Sequence, residues 1–289
     1  MPTAIPTYQL QDFSTPTGGA GEVFLLDEST HTAGPPMNTP YRGDYYKIGL
    51  CQRGSAELKV NLETYAIGPG DLMLITPHVI KQWTGFSADH DSLSVFFTRD
   101  FLTAGNPANR EQLHFLENAT RHVLPLAAAE LSSLAASLDL LRLKLRTPHV
   151  YQAGIVRSLL HSLLYEVVAV YDQQCAARRA TQTRPQRLAA EFKQLLNAHC
   201  RSERSVGFYG EQLCVTPKHL TETVRAVTGK TASAWIDEAV MLEAKALLLL
   251  PQLTVAQVAE QLHFPDPSAF SRYFKKSFGL SPKAYQQAG

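Results

Sequence analysis

Two stretches near the C-terminal end decide the fold: "YGEQLCVTPKHLTETVRAVTGKTASAW" (209–235) and "VAEQLHFPDPSAFSRYFKKSFGLSPKAY" (258–285). Laid side by side, Gly210-Glu211-Gln212-Leu213 matches Ala259-Glu260-Gln261-Leu262, at an offset of 49 positions. After one inserted residue, Thr216-Pro217 matches Asp266-Pro267, Leu220 matches Phe270, Val224 matches Phe274, Gly229 matches Gly279 and Trp235 matches Tyr285. Two copies of one supersecondary unit explain this register most economically. In the second copy Thr254 and Gln257 make a capping box ahead of an apolar face of Val255, Val258, Ala259 and Leu262. Asp266 then caps a new helix with Pro267 at its first position, where no backbone N–H is missed, and Gly279 ends it. The first copy uses Thr216, Pro217 and Gly229 in the same places. Each copy reads as helix, short turn, helix, spanning about 206–229 and 254–279.

The polar faces repeat as well. Ser268, Ser271, Arg272 and Lys275 fall at i, i+3, i+4 and i+7, opposite Phe270 and Phe274. Lys218, Thr221, Glu222 and Arg225 fall at the same spacings in the first copy. A lone helix of this kind is ordinarily a solvated amphipathic surface; two copies in register, in a basic region, point to a surface that meets nucleic acid. Hydroxyl and guanidinium groups on such a stripe reach base edges and phosphates in a major groove, and Glu222 would accept from a cytosine amino group. Arg225, Lys230, Lys275 and Lys276 are candidates for phosphate contacts. Between the copies, "SAWIDEAVMLEAKALLLL" (233–250) reads as a single helix of about 18 residues, hence about 27 Å. A strut of that length would hold two reading helices near one turn of duplex apart, about 34 Å.

Charge supports this division. From Arg184 onward there are 13 Lys+Arg and 9 Asp+Glu, a net of +4; the remainder carries 27 − 13 = 14 basic and 26 − 9 = 17 acidic residues, a net of −3. The chain of 289 residues, 45% hydrophobic, has room for two domains. Cys51, Cys175, Cys200 and Cys214 are scattered without metal or CxxC spacing and read as reduced thiols. "MPTAIPTYQL" lacks the positive and apolar regions of an export signal, and "ALLLL" (246–250) is too short to span a bilayer, so a cytoplasmic protein with no membrane partner is expected.

The front of the chain changes texture. "EVFLLDE" (22–28), "YYKIGLC" (45–51), "AELKV" (56–60), "ETYAI" (63–67), "DLMLIT" (71–76) and "LSVFFT" (93–98) are short strand-like runs separated by Gly/Pro turns, which predicts a small antiparallel barrel or sandwich. Residues 127–146 and 150–175 carry helical periodicity with "TPH" (147–149) between them, predicting an antiparallel helix pair. "AARRATQTRPQR" (176–187) reads as a linker that Pro185 closes to any helix. Tyr46, Ile48 and Leu50 alternate to one face of their strand, Tyr45, Lys47 and Cys51 to the other. Tyr46, Lys81, Trp83 and Phe96 are the candidate lining of a pocket, in which Lys81 or Arg42 could pair with an anionic effector. An enzymatic alternative, a metal-free isomerase or lyase with a nucleic-acid-binding tail, finds no paired carboxylates, catalytic triad order or GxSxG to support it.

On "DPSAFSRYFKKSFGLSPKAY" (266–285) the tail from about 185 to 289 resembles the DNA-binding domain of the AraC/XylS family of bacterial transcription regulators. A weaker likeness to the family's cupin-like sensor barrel runs through "GPGDLMLITPHVIKQW" (68–83) and "SVFFTRDFL" (94–102). The resemblance implies an α+β protein: a cupin-like antiparallel β-barrel sensor (1–110), a helical dimerisation segment (111–176), a linker (177–186) and an all-α two-unit reader (187–289). It implies promoter DNA, a second copy of the chain and a small-molecule effector as partners, with RNA polymerase a further candidate, and no cofactor. By position it places base reading on Lys218, Thr221, Glu222, Ser268, Ser271 and Arg272. Two departures stand out. The joining helix offers Lys245 where many relatives carry Arg, and Lys81 stands where the barrel motif often has His, which argues against a divalent metal because an ammonium donates and does not ligate. His31, His78 and His90 show no ligand spacing.

Overall fold

The computed structural model describes residues 7–10, 23–27, 37–77, 79–104, 116, 121–250 and 252–288. It divides into two compact units that meet in sequence between Ala177 and Arg178. The first is mixed α and β, the second all helical.

In the first unit the strands are β1 (Thr7–Tyr8), β2 (Val23–Asp27), β3 (Arg42–Gly43), β4 (Tyr46–Arg53), β5 (Ala56–Val60), β6 (Glu63–Ile67), β7 (Asp71–Ile75), β8 (Lys81–Phe86), β9 (Asp91–Phe97) and β10 (Val123–Pro125). They form a five-stranded sheet, β10-β7-β4-β9-β2, and a three-stranded sheet, β6-β5-β8, both antiparallel, beside a parallel β1-β3 pair. The inner faces pack on one another: Cys51, Met73, Ile75 and Val123 of the larger sheet share a core with Ala56, Leu58, Val60, Ile67 and Trp83 of the smaller. Two helices, α2 (Ala128–Arg146) and α3 (Gln152–Thr181), follow the short α1 (Arg99–Thr103). Leu134, Leu138, Leu141 and Leu145 of α2, and Val156, Leu160, Leu163, Leu164, Val167 and Tyr171 of α3, pack on the outer face of the large sheet. By length and composition α3 would suffice to cross a bilayer, but this face of it is committed to the protein's own core.

Three expectations need correction. Lys81–Phe86 is a strand where no strand-like run was identified, because its inward positions are Lys81 and Trp83 and the alternation is not apolar. The segment expected to be helical over 111–176 also holds a strand: Val123–Pro125 adds an edge strand to the large sheet, pairing Leu124 with Leu72. The expected linker is largely helical, since α3 runs to Thr181. Pro185 opens the next helix rather than stopping one, sitting in its first turn behind a capping box of Thr183 and Gln186.

The second unit contains α4 (Arg184–His199), α5 (Val206–Gln212), α6 (Pro217–Thr228), α7 (Ala232–Leu248), α8 (Val255–Gln261), α9 (Pro267–Phe278) and α10 (Pro282–Ala288). The repeat is visible atom for atom. Thr216 Oγ1 accepts from His219 N at 3.2 Å and Asp266 Oδ1 from Ala269 N at 2.7 Å; both helices end on a left-handed glycine, Gly229 and Gly279. The turns that precede them differ by one residue. Val215 N donates to Gly210 O, and Phe264 N to Ala259 O, each at 2.9 Å. In the shorter first turn a Cβ on Gly210 would stand 2.8 Å from Val215 O, a backbone atom that cannot step aside. The second turn, lengthened by Pro265, accommodates the methyl of Ala259. Gly210→Ala is therefore expected to destabilise the reader by about 1–3 kcal/mol, despite alanine's better helix propensity. Ala259→Gly should lose the propensity difference, about 1 kcal/mol, together with the burial of its methyl in the core, without any backbone clash. Urea denaturation midpoints of the two variants check the contrast.

Candidate nucleic-acid interface and effector site

Helices α6 and α9 each bury one face completely. Leu220 and Val224 in the first, and Phe270 and Phe274 in the second, are at 0% exposure. The rings of Phe264, Phe270, Phe274, Phe278 and Tyr285 form a continuous chain of contacts behind α9, with neighbouring centroids between 5.2 and 5.8 Å. Burial raises the Tyr285 phenol to about 12. Tyr273 donates its hydroxyl to Asp237 Oδ1 at 2.8 Å, which ties α9 to α7; burial and that carboxylate hold its phenol well above the usual range.

The opposite faces are open to solvent. Lys218, Glu222 and Arg225 on α6, and Ser268, Arg272, Lys275 and Lys276 on α9, are exposed; Thr221 and Ser271 are half-buried between them. Ser271 donates its hydroxyl to Pro267 O at 2.8 Å, which leaves its oxygen as an acceptor. Lys230 is placed differently: its Nζ bonds both oxygens of Glu238, at 2.7 and 2.8 Å, and lies over the Trp235 ring. It belongs to the junction of α6 and α7 and not to either stripe.

Arg204, which the sequence did not single out, joins the two copies. Its guanidinium donates to Leu262 O and His263 O, both at 2.6 Å, and lies 4.0 Å over the Phe264 ring. From the loop before the first copy it therefore caps the exposed carbonyls at the C-terminal end of α8 in the second. No periodicity reveals such a contact, since an isolated loop arginine carries no pattern. Lys245, at the departure noted in α7, lies 4.0 Å over the Phe278 ring, and burial lowers its pKa; the structure uses it for packing.

In the first unit, register separates the four candidate pocket residues. Lys47 pairs with Phe96 and Tyr46 with Phe97 across β4 and β9, so the first pair faces between the sheets and the second faces the helices. Tyr46 stacks on Phe97 at 5.3 Å within the helix-side core and does not join the others. Lys81 and Trp83 lie opposite Val60 and Leu58 on the inner face of the small sheet. Lys81 Nζ sits 4.2 Å from the Tyr45 ring centroid and 5.0 Å from that of Tyr41, whose hydroxyl accepts from Trp83 Nε1 at 3.0 Å. Lys47 Nζ lies over Trp83 and Phe96, at 5.2 and 5.3 Å. Lys81, Trp83 and Phe96 thus gather around two buried ammonium groups. Burial, and next the Lys47 charge, drive the Lys81 pKa well below that of a free lysine, against a weaker opposing pull from Asp44. Among the described residues no group of His, Cys, Asp or Glu side chains is arranged to hold a metal. His90 lies beside Cys51 and Phe86, while His31 and His78 fall outside the described residues.

The profile of an AraC-binding-like domain matches residues 17–200, well over half of the chain, and that of a helix-turn-helix domain matches residues 209–288. The chain belongs to the AraC family. The relatives it matches include the arabinose operon and Msm operon regulatory proteins. It is 24% identical to the regulatory protein PocR of Salmonella typhimurium over 159 residues, covering 54% of this chain and 49% of that protein. It is 25% identical to the arabinose operon regulatory protein of the same organism over 137 residues, covering 47% of each. The chain thus spans about half the length of these curated relatives. A solved structure of ToxT from Vibrio cholerae aligns with 92% of this AraC-family chain and 96% of its own, at 14% identity and a TM-score of 0.35.

The depressed pKa of Lys81 fixes a sign. An ammonium that binds its proton less tightly when folded subtracts stability at and below neutrality, and that cost fades as pH rises toward about 10.4, the value of an unfolded lysine. Lys81→Met should therefore raise the melting temperature, with a gain that is larger at pH 7 than at pH 10. Thermal unfolding across that range checks it.

Proposed function

We propose that this AraC-family protein is a sequence-specific transcription regulator whose two helix-turn-helix units read adjacent major-groove segments of promoter DNA. The observation that carries the reading is the repeated division of α6 and α9 into a fully buried apolar face and a solvent-facing stripe of matched spacing. In this reading Lys218, Thr221, Glu222, Ser268, Ser271 and Arg272 meet base edges. Arg225, Lys275 and Lys276 meet phosphate, while Lys230, occupied by Glu238, serves at most from the flank.

The first unit is the sensor, with an effector held between its sheets. The chain acts in the cytoplasm as a homodimer through the α2–α3 pair, where Leu143 and Tyr165 are 58% and 64% exposed; RNA polymerase is the partner to which such a regulator answers. The working division is a sensor over 1–110, a dimerisation segment over 111–176, a linker over 177–186 and a reader over 187–289. Within that division the helices leave a short break around Gln182–Thr183.

Selection of genomic fragments by the full-length protein should return a common motif with two half-sites. On that motif Arg272→Ala is expected to cost about 1–3 kcal/mol and to relax the preference at one position. Lys276→Ala should weaken every duplex alike. Equal binding of all fragments, with no effect of Arg272→Ala, would sink the reader assignment.

A further inference from the structure

Among the described residues, Lys81 is a buried charged group whose donors the first unit's interior leaves unmet. It is 2% exposed, and its Nζ has no hydrogen-bond partner. The faces of Tyr41 and Tyr45 stabilise its charge in part. They take none of its three N–H donors, and a buried donor without an acceptor is costly. Its environment supplies more positive charge: Lys47, itself buried, repels it, and Asp44, the anion that favours its charged form, is an exposed residue occupied with Leu10 N at 3.1 Å. Packing explains the aromatic residues nearby, but it does not explain an ammonium, since a methionine of similar length would fill the same space without the desolvation cost. Lys81 Nζ is aimed at the backbone of β3, where a Cβ on Gly43 would approach it to 3.0 Å. The same Cβ would stand 2.4 Å from the Tyr45 ring, so the glycine lets that ring and the ammonium lie together against β3.

The geometry points to a small oxyanion, a carboxylate or a phosphate, as the effector class, seated on Lys81 Nζ and walled by Tyr41, Tyr45, Trp83 and Phe96. This rests on the assignment of the first unit as a sensor and adds the chemistry of what it senses. Oxygen acceptors satisfy the Nζ donors, the negative charge offsets that of Lys47, and the rings cover whatever apolar body the anion carries. Lys81 thereby becomes the specificity-determining residue, discriminating against neutral compounds of the same shape.

The test uses the full-length protein and four probes: acetate, benzoate, inorganic phosphate and the neutral benzamide. Thermal unfolding and DNA affinity are followed for the wild type, Lys81→Met and Lys81→Gln. At least one oxyanion should raise the wild-type melting temperature saturably by several degrees, benzamide should not, and both variants should lose the response; which oxyanion acts separates carboxylate from phosphate. The two variants guard against a folding defect in either. No shift with any oxyanion, or an equal shift in the variants, overturns the proposal. A shift with benzamide alone, accompanied by altered DNA affinity, overturns the oxyanion class and leaves the sensor assignment standing. A Lys81-dependent oxyanion shift that leaves DNA affinity unchanged supports the site and instead sinks the sensor assignment.

Discussion

The reader depends on one buried element, the helix Ala232–Leu248. Trp235, Ile236, Ala239, Val240, Met241, Ala244, Leu247 and Leu248 are all buried, so the helix is apolar around most of its circumference. Its N-terminal end takes the first copy: Trp235 Nε1 donates to Thr228 Oγ1 at 2.9 Å, at the end of α6. Its C-terminal end takes the second, since Met241, Ala244, Leu247 and Leu248 share a core with Val258, Phe270 and Phe274. Two recognition helices cemented to one rod have little freedom to change their separation. Arg204 adds a polar tie between the copies, and a guanidinium on two carbonyls is directional in a way that apolar packing is not. The bipartite recognition proposed here would need that rigidity, because each half of the surface alone would cover few bases.

The same plan is executed twice with different local solutions, and the differences show what is obligatory. An N-cap, a proline in the first turn and a left-handed glycine recur unchanged. The turn between the helices keeps a left-handed residue in both copies, Cys214 at φ 54° and His263 at φ 52°, neither of them glycine. Such a conformation costs about 1 kcal/mol or more in each case. It persists because the turn is fixed at both ends, by the carbonyl of Gly210 or Ala259 on one side and the capped start of the next helix on the other. The extra residue, Pro265, falls after this bond, which spans five positions in both copies.

These features explain why the reader was legible in the sequence and the sensor only partly so. Caps, prolines and glycines act within four residues of themselves, and the buried and open faces of α6 and α9 follow from a 3.6-residue period. The repeat then supplied an internal check that a single copy lacks. In the first unit, β5 and β6 were bounded correctly because each has an exposed face and so alternates. Strand β4 is buried on both faces from Tyr46 to Cys51, so polarity marks neither. Its alternation was read correctly, but the side that faces the helices and the side that faces the second sheet are set by topology. That is why Tyr46 was grouped with residues from which it is turned away. Strand β8 was missed for the converse reason, its inward residue being a lysine. Arg204 was silent because its partners are backbone carbonyls nearly sixty residues away.

On the proposed reading, the buried lysine that hides a strand from pattern reading is also what would give the first unit something to respond with. A ligand shifts a conformational equilibrium only by the difference between its affinities for the two states. An interior of well-packed apolar residues offers little such difference, because it is equally satisfied with or without a guest. An ammonium over aromatic faces with its donors unmet is unsatisfied by several kcal/mol until an acceptor arrives. The free energy released on meeting it is available only to a guest of the right charge. In that proposal specificity and responsiveness have the same origin: the desolvation cost that makes Lys81 a liability in the free protein is the term that an oxyanion would remove and a neutral isostere could not.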